Sequence, residues 1–148
     1  MKPSVRRTFT TTAAPQTAYA YLADFTNAEE WDPGTRSCTV IEGDGGVGTR
    51  YRNVSSFLGR TTTLEYVAEE LQPPSRIHFH GTNDQFDGHD HLTLRSQGAG
   101  TEITYEAVFS FRGVAQLFAP VVALYLPMLA RKTVDQMSAR LDALPPTE

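Results

Sequence analysis

The stretch from Gly113 to Leu144 constrains this chain more than any other. Residues Val114 to Ala130 read VAQLFAPVVALYLPMLA, apolar on every side apart from Gln116, and run into RKTVDQMSARLDAL, where Ala130, Val134, Met137, Leu141 and Leu144 recur at steps of three and four. That spacing predicts one long amphipathic helix with an apolar first half, roughly 45 Å long at about 1.5 Å per residue. Such a helix cannot bury its own stripe, so the rest of the chain must supply a surface for it. Pro120 suits a first turn, where no N–H is needed. Pro127 removes the hydrogen bond to the Ala123 carbonyl and predicts a kink, with a short turn over 114–118 ahead of the helix. A bilayer span needs about 20 apolar residues. The run is shorter, carries Gln116 and is interrupted by both prolines, so spanning is not expected. Two readings of the apolar half stay open: plain core, or an inner face that roofs a cavity while the outer face touches a lipid or a second subunit.

The remainder reads as the surface that the helix requires. Ser4 to Thr11 is a first strand, with Val5, Arg7 and Phe9 on one face. Ala14-Pro15 opens a helix whose stripe is Ala18, Tyr19 and Leu22. Asp24 to Trp31 predicts a second short helix, with Thr26 as N-cap and Glu29 completing a capping box, stopped by Asp32-Pro33-Gly34. Six strand-like segments follow: Cys38 to Glu42, Thr49 to Phe57, Arg60 to Glu69, Arg76 to Thr82, Phe86 to Ser96 and Gly100 to Phe111, separated by the turn formers GDGG, LG, QPPS, TNDQ and QGAG. Alternation points Ile103, Tyr105, Ala107, Phe109 and Phe111 inward on the last strand. The same count turns Leu64, Tyr66 and Ala68 inward, then Ile77 and Phe79, then Phe86, Asp90, Leu92 and Leu94. Tyr51, Asn53, Ser55 and Phe57 face in on the third strand.

Composition sets the bounds. A chain of 148 residues, 40% hydrophobic and 20% charged, is expected to make one domain over 1–148 with a real core. A net charge of -4 without a basic cluster argues against a nucleic-acid partner. The single Cys38 excludes an internal disulfide and a cysteine-based zinc site. Basic residues near the N-terminus lack an apolar run behind them, so no secretory signal is read and a cytoplasmic location is expected.

Strand, two helices, six strands and a long helix is an order that resembles the START-like, or helix-grip, superfamily (SRPBCC), and within it the bacterial polyketide cyclase/dehydrase and lipid-transport-like branch. The local matches are Glu29-Glu30-Trp31-Asp32-Pro33-Gly34, Gly46-Val47-Gly48-Thr49, Gly100-Thr101 and Phe111-Arg112-Gly113. None is a catalytic signature. The resemblance implies an α+β fold: a seven-stranded curved antiparallel sheet wrapped around a long C-terminal helix, with two short helices between strands 1 and 2.

Gly43-Asp44-Gly45-Gly46-Val47-Gly48 satisfies the dinucleotide pattern G-x-G-x-x-G, but that fingerprint needs a helix after it and a strand follows. A hairpin turn with positive φ is the better reading. In the plant allergens that the superfamily includes, the similar loop sits by the cavity mouth. His78, His80, His89 and His91 form H-x-H twice on neighbouring strands, close enough to share zinc or nickel, yet on the outer face, away from a cavity. Ordinary strand histidines are the simpler reading, and no metal or cofactor is assigned.

Asp90 stands out because alternation points it into the groove between sheet and helix, where an unpaired carboxylate is costly and its pKa should rise. It is either a structural or ligand-orienting partner of Tyr66, Arg50, Arg52 or backbone, or a general acid or base. Ligand contacts are expected from Trp31, Tyr51, Asn53, Phe57, Leu64, Tyr66, Phe79, Asp90, Leu92, Tyr105 and Phe109, and Phe9 and Leu94 are expected to line the same space. The helix is expected to contribute Leu117, Val121, Leu124 and Met128. Such a pocket suits a hydrophobic small molecule: a lipid, an isoprenoid quinone or a polyketide-like compound. The alternative is an aromatase/cyclase or dehydratase in which Asp90, with Tyr66 or Tyr105, moves protons. That reading needs two convergent ionisable groups, and Asp90 alone is evident. Partners beyond the ligand are expected to be a transient membrane contact through the apolar half of the last helix, or a second copy of the chain.

Overall fold

The computed structural model describes residues 2–145. Seven strands form one antiparallel sheet: β1 (Ser4–Thr11), β2 (Thr35–Glu42), β3 (Arg50–Phe57), β4 (Arg60–Gln72), β5 (Arg76–Thr82), β6 (Phe86–Gln97) and β7 (Gly100–Phe111). Their order is β1-β7-β6-β5-β4-β3-β2, a meander from β2 to β7 closed by β1 pairing back onto β7. Between β1 and β2 lie α1 (Pro15–Ala23), a 3-10 turn (Phe25–Asn27) and α2 (Ala28–Trp31). A second 3-10 turn (Gly113–Phe118) leads into α3 (Ala119–Asp142). This is the helix-grip α+β architecture.

Period-two patterning sets which side chains the concave face receives. Leu64, Tyr66 and Ala68 of β4, Ile77 and Phe79 of β5, Asp90, Leu92 and Leu94 of β6, and Ile103, Tyr105 and Ala107 of β7 are all buried. Because α1 starts at Pro15, its missing N–H costs nothing, and Ala18, Tyr19 and Leu22 turn toward the sheet. The expected capping box is not formed. Asp24 caps the 3-10 turn instead, accepting from the Thr26 backbone N–H at 3.0 Å and from its hydroxyl at 2.6 Å. Glu29 reaches away from its own helix and accepts from the Cys38 N–H at 2.7 Å, which pins α2 to β2.

The C-terminal half of α3 is docked firmly. Thr133, Met137 and Leu141 are buried, and at its end the Asp142 carboxylate accepts from the Thr11 hydroxyl at 2.6 Å and the Thr12 N–H at 3.0 Å, tying the helix to β1. α3 continues as one element through Pro127, whose ring lies on the exposed side. The N-terminal half is far less covered: Leu117, Leu124 and Met128 are 79%, 75% and 49% exposed. By length and composition alone the stretch Gly113–Asp142 is long and apolar enough to cross a membrane.

Candidate functional site

Two kinds of filling divide the concave face. One half is solid. Phe25, held by the Asp24-capped turn, inserts its ring 4.4 Å from Phe79, 4.5 Å from Tyr66, 5.7 Å from Tyr51 and 6.2 Å from Trp31, measured between centroids. These tilted and edge-on contacts make an aromatic plug. The Trp31 indole N–H has no acceptor among the described residues, so ring burial here outweighs an unmatched donor.

The other half is hollow. Between the sheet and the N-terminal part of α3 lies a cavity of about 280 Å³. The sheet wall is Leu64, Tyr66, Asp90, Tyr105, Ala107 and Phe109, and the helix wall is Ala115, Val122, Leu126, Leu129, Ala130 and Thr133. Phe57, Phe86, Phe111 and Phe118 add aromatic surface, with Arg60, Asn83 and Gln85 as polar lining. Phe118 both lines the cavity and is 44% exposed, with the Arg60 guanidinium 4.9 Å above its ring. A larger depression of about 480 Å³ lies around Thr10, Thr12, Gln97 and Asp142. It is more open and polar, and its carboxylate is already committed to Thr11 and Thr12. Of the two, the smaller cavity is the candidate site, because it combines apolar walls with convergent buried polar groups.

Those polar groups are few. Asp90, 8% exposed, accepts a hydrogen bond from the Tyr105 hydroxyl at 3.0 Å. Desolvation, reinforced by the Asp32 charge, pushes its pKa up to about 7. Asp32 also lines the cavity, half-buried, with one carboxylate oxygen accepting from the Gly34 N–H at 3.1 Å and the other from the Thr35 hydroxyl at 2.8 Å. Burial raises it as well, against those two hydrogen bonds. Burial together with the neighbouring carboxylates holds Tyr66 and Tyr105 well above the usual phenol range. Tyr66 owes its position to Gly81, its partner in the β4–β5 register. A Cβ at Gly81 would lie 2.5 Å from the tyrosine ring, so only glycine lets the ring lie across β5.

The sequence-predicted residues fall into four groups. Phe57, Leu64, Tyr66, Asp90, Tyr105 and Phe109 line the cavity. Trp31, Tyr51, Phe79 and Leu92 are inward-facing but belong to the solid core, which the Phe25 plug and the helices fill. Leu94 is likewise packed core and Phe9 leans against it. Asn53 is buried in a small polar network, donating to the Thr35 hydroxyl at 3.1 Å and accepting from Ser55 at 2.5 Å. Leu117, Val121, Leu124 and Met128 form the opposite, exposed face of the helical stretch. The roof consists of Ala115, Val122, Leu126, Leu129 and Ala130, which the sequence reading missed. Their phase is that of the buried Ala130, Met137 and Leu141 carried back toward the N-terminus in steps of three and four, a signal available in the chain. Asp32, read as a helix stop, was also missed, as were Arg60, Asn83, Gln85 and Phe118.

Outside the cavity, Gly43, Gly45 and Gly48 have φ of 111°, 98° and 90° and lead into β3, so the glycine-rich loop is a turn and not a dinucleotide cradle. None of its residues lines the cavity. The buried Cys38 thiol is pushed up to about 12 by desolvation, which removes it as a nucleophile at neutral pH. The four histidines lie on the face of β5 and β6 opposite Asp90, each half-buried. Burial lowers His78 to about 4, and His89 moves in the same direction.

The family described as "Polyketide cyclase / dehydrase and lipid transport" matches residues 2–142. Among solved structures, a START superfamily protein from Mycobacterium smegmatis superposes with a TM-score of 0.79 at 14% identity, over 96% of this chain and 99% of that one. The Zhui aromatase/cyclase from Streptomyces sp. R1128 gives 0.75 at 15% identity, over 99% and 100%. A protein from Thermus thermophilus gives 0.75 at 18% identity, over 95% and 94%. At these identities the likeness carries the fold and no chemistry. No curated protein matches the chain in sequence.

Proposed function

The chain belongs to the polyketide cyclase/dehydrase and lipid-transport family, and we propose that it takes up a compact hydrophobic molecule bearing a carbonyl or hydroxyl oxygen. The observation that carries this reading is a largely apolar cavity with a buried acid–hydroxyl pair, Asp90 and Tyr105, at its wall. Apolar walls supply affinity without direction, and the pair supplies orientation by donating to or accepting from one ligand oxygen. The volume lies near the lower edge of the roughly 300–1,000 Å³ usual for small-molecule pockets. That favours one ring system or a single acyl or isoprenoid chain over a two-chain lipid. The exposed stripe of Leu117, Val121, Leu124 and Met128 adjoins the roof, which supports exchange of the ligand at a lipid surface.

A second reading is favoured by the Asp32–Asp90 pair. On a chain of alternating ketones, ionised Asp90 takes a proton from a methylene between two carbonyls. The resulting carbanion attacks a further carbonyl carbon, and a cavity acid returns a proton to the new alkoxide. Loss of water then needs a base to take the remaining proton from the carbon between the carbonyls, whose electron pair forms the C=C bond, and an acid to protonate the departing hydroxyl. An Asp90 pKa of about 7 keeps both protonation states populated at neutral pH.

Native mass spectrometry of the purified protein, followed by solvent extraction, tests the first reading. A stoichiometric apolar adduct is expected. An empty protein that also fails to bind single-chain fatty acids, isoprenoid quinones and aromatic polyketides refutes uptake. Asp90→Asn separates the two readings: loss of turnover with binding retained identifies the enzyme, whereas a wild-type protein that binds polyketones without changing them is a carrier.

A further inference from the structure

We propose that His78, His89 and His91 form a binding site for a borderline divalent transition metal, Zn²⁺ foremost, on the outer face of the β5–β6 hairpin. The three residues each offer a ring nitrogen, and these atoms lie within 4.8 Å of one another. The register explains the convergence: His78 stands opposite His91 and His80 opposite His89 on adjacent antiparallel strands, so all four project from one face. The His78 and His91 rings stack at 4.1 Å, and His78 Nε2 lies 2.9 Å from His89 Nδ1.

Tetrahedral Zn²⁺ holds nitrogens at about 2.0–2.1 Å, which places them roughly 3.3 Å apart. The His78–His89 pair must open by a few tenths of an ångström and the third nitrogen must swing in by rotation about the side-chain torsions. The hydrogen now shared by His78 and His89 moves to the far nitrogen of whichever ring donates, leaving both lone pairs for the metal. His80 stays outside the triad because its nitrogens face carboxylates, Nε2 at 2.8 Å from Asp87 and Nδ1 at 3.5 Å from Glu69. Three imidazoles with no thiolate and no carboxylate select zinc, nickel or copper over magnesium or calcium. Half-burial leaves a fourth position open to water. His89 and His91 flank Asp90 in β6, so the metal site and the cavity acid occupy opposite faces of the same three residues.

Untagged full-length protein, stripped with chelator, is titrated with ZnCl₂ by calorimetry and with Co²⁺ by visible absorption. One metal per chain is expected with micromolar or tighter affinity, and cobalt should show tetrahedral d–d bands. His78→Gln and His91→Gln should each weaken zinc at least tenfold while far-UV circular dichroism is unchanged. His80→Gln should leave affinity intact. If one triad variant does not fold, the other variant and the wild-type cobalt spectrum decide. No heat at 100 μM zinc overturns the proposal, as does binding that survives both triad substitutions. Equal weakening by His80→Gln overturns the assignment of the triad.

Discussion

Replacing Asp90 with Asn should make the protein more stable at pH 8 and leave it nearly unchanged at pH 4. Asp90 has its pKa raised from 3.8 to about 7 in the fold. A carboxyl with a raised pKa binds more protons folded than unfolded between those two values, so its contribution to stability is fully present below about pH 4. It declines as pH rises and is lost above 7. At about 1.4 kcal/mol per pH unit over roughly three units, the loss approaches 4 kcal/mol. The wild-type profile alone does not isolate it, because His78 and His89 have depressed values. Their contribution has the opposite sign: it is lost as pH falls below the ordinary histidine range. The difference between wild type and Asp90→Asn cancels the histidines. Asn keeps the carbonyl that accepts from Tyr105, and its amide replaces the carboxylic O–H, so the offset at pH 4 should be within about 1 kcal/mol. Urea unfolding at five pH values from 4 to 8, with the slope m checked for constancy, gives the difference directly. A difference that is flat across that range, or that shrinks toward pH 8, refutes the assignment of Asp90 as a desolvated acid.

Three further outcomes follow from the same geometry. Tyr105→Phe removes the hydrogen bond that lowers Asp90, so the Asp90 titration followed by carboxyl carbon NMR should move to higher pH; movement downward contradicts the geometry. Leu126→Ala should cost about 2 kcal/mol in denaturant unfolding, while Leu124→Ala on the exposed face should stay within about 0.5 kcal/mol, and a reversed order would mean that α3 is rotated. Leu117→Asp with Leu124→Asp should abolish co-flotation with anionic vesicles without altering the fold; unchanged flotation rules out the stripe as a lipid contact, and a wild-type dimer split by the same pair would assign it to self-association.

What the sequence revealed and what it hid divide along physical lines. Strand facing was legible because its period is two and one face is apolar. Tyr66, Asp90, Tyr105 and the four histidines therefore landed on the sides where alternation put them. Which inward residues line a cavity was not legible, since that depends on where a neighbouring element stops. Phe25, in the turn that Asp24 and not Thr26 caps, meets Phe79, Tyr66, Tyr51 and Trp31. Asp32 was hidden for a related reason. Asp-Pro-Gly after a helix is an ordinary stop, and that local role is real, with the carboxylate capping Gly34 and Thr35. Its second role, raising the pKa of Asp90 across the cavity, is a property of tertiary distance alone.

The helix roof is the most instructive case. Between Val114 and Ala130 nearly every residue is apolar, so hydrophobic periodicity carries no phase and any stripe looks buried. Phase information exists only where polar residues interrupt the pattern, in RKTVDQMSARLDAL. There burial selects Thr133, Met137 and Leu141, in phase with Ala130 just before it. Carrying that phase backward yields Leu126, Val122, Ala119 and Ala115, of which Ala115, Val122 and Leu126 line the cavity. The rule is that an amphipathic half dictates the facing of an apolar half on the same helix. A further consequence follows from the leftover face. Since the polar half has already fixed the docking, the apolar residues on the far side are left exposed, Leu117 and Leu124 most of all. Leu117, Val121, Leu124 and Met128 are the residues of the proposed lipid contact, and the vesicle experiment with Leu117→Asp and Leu124→Asp tests that role directly.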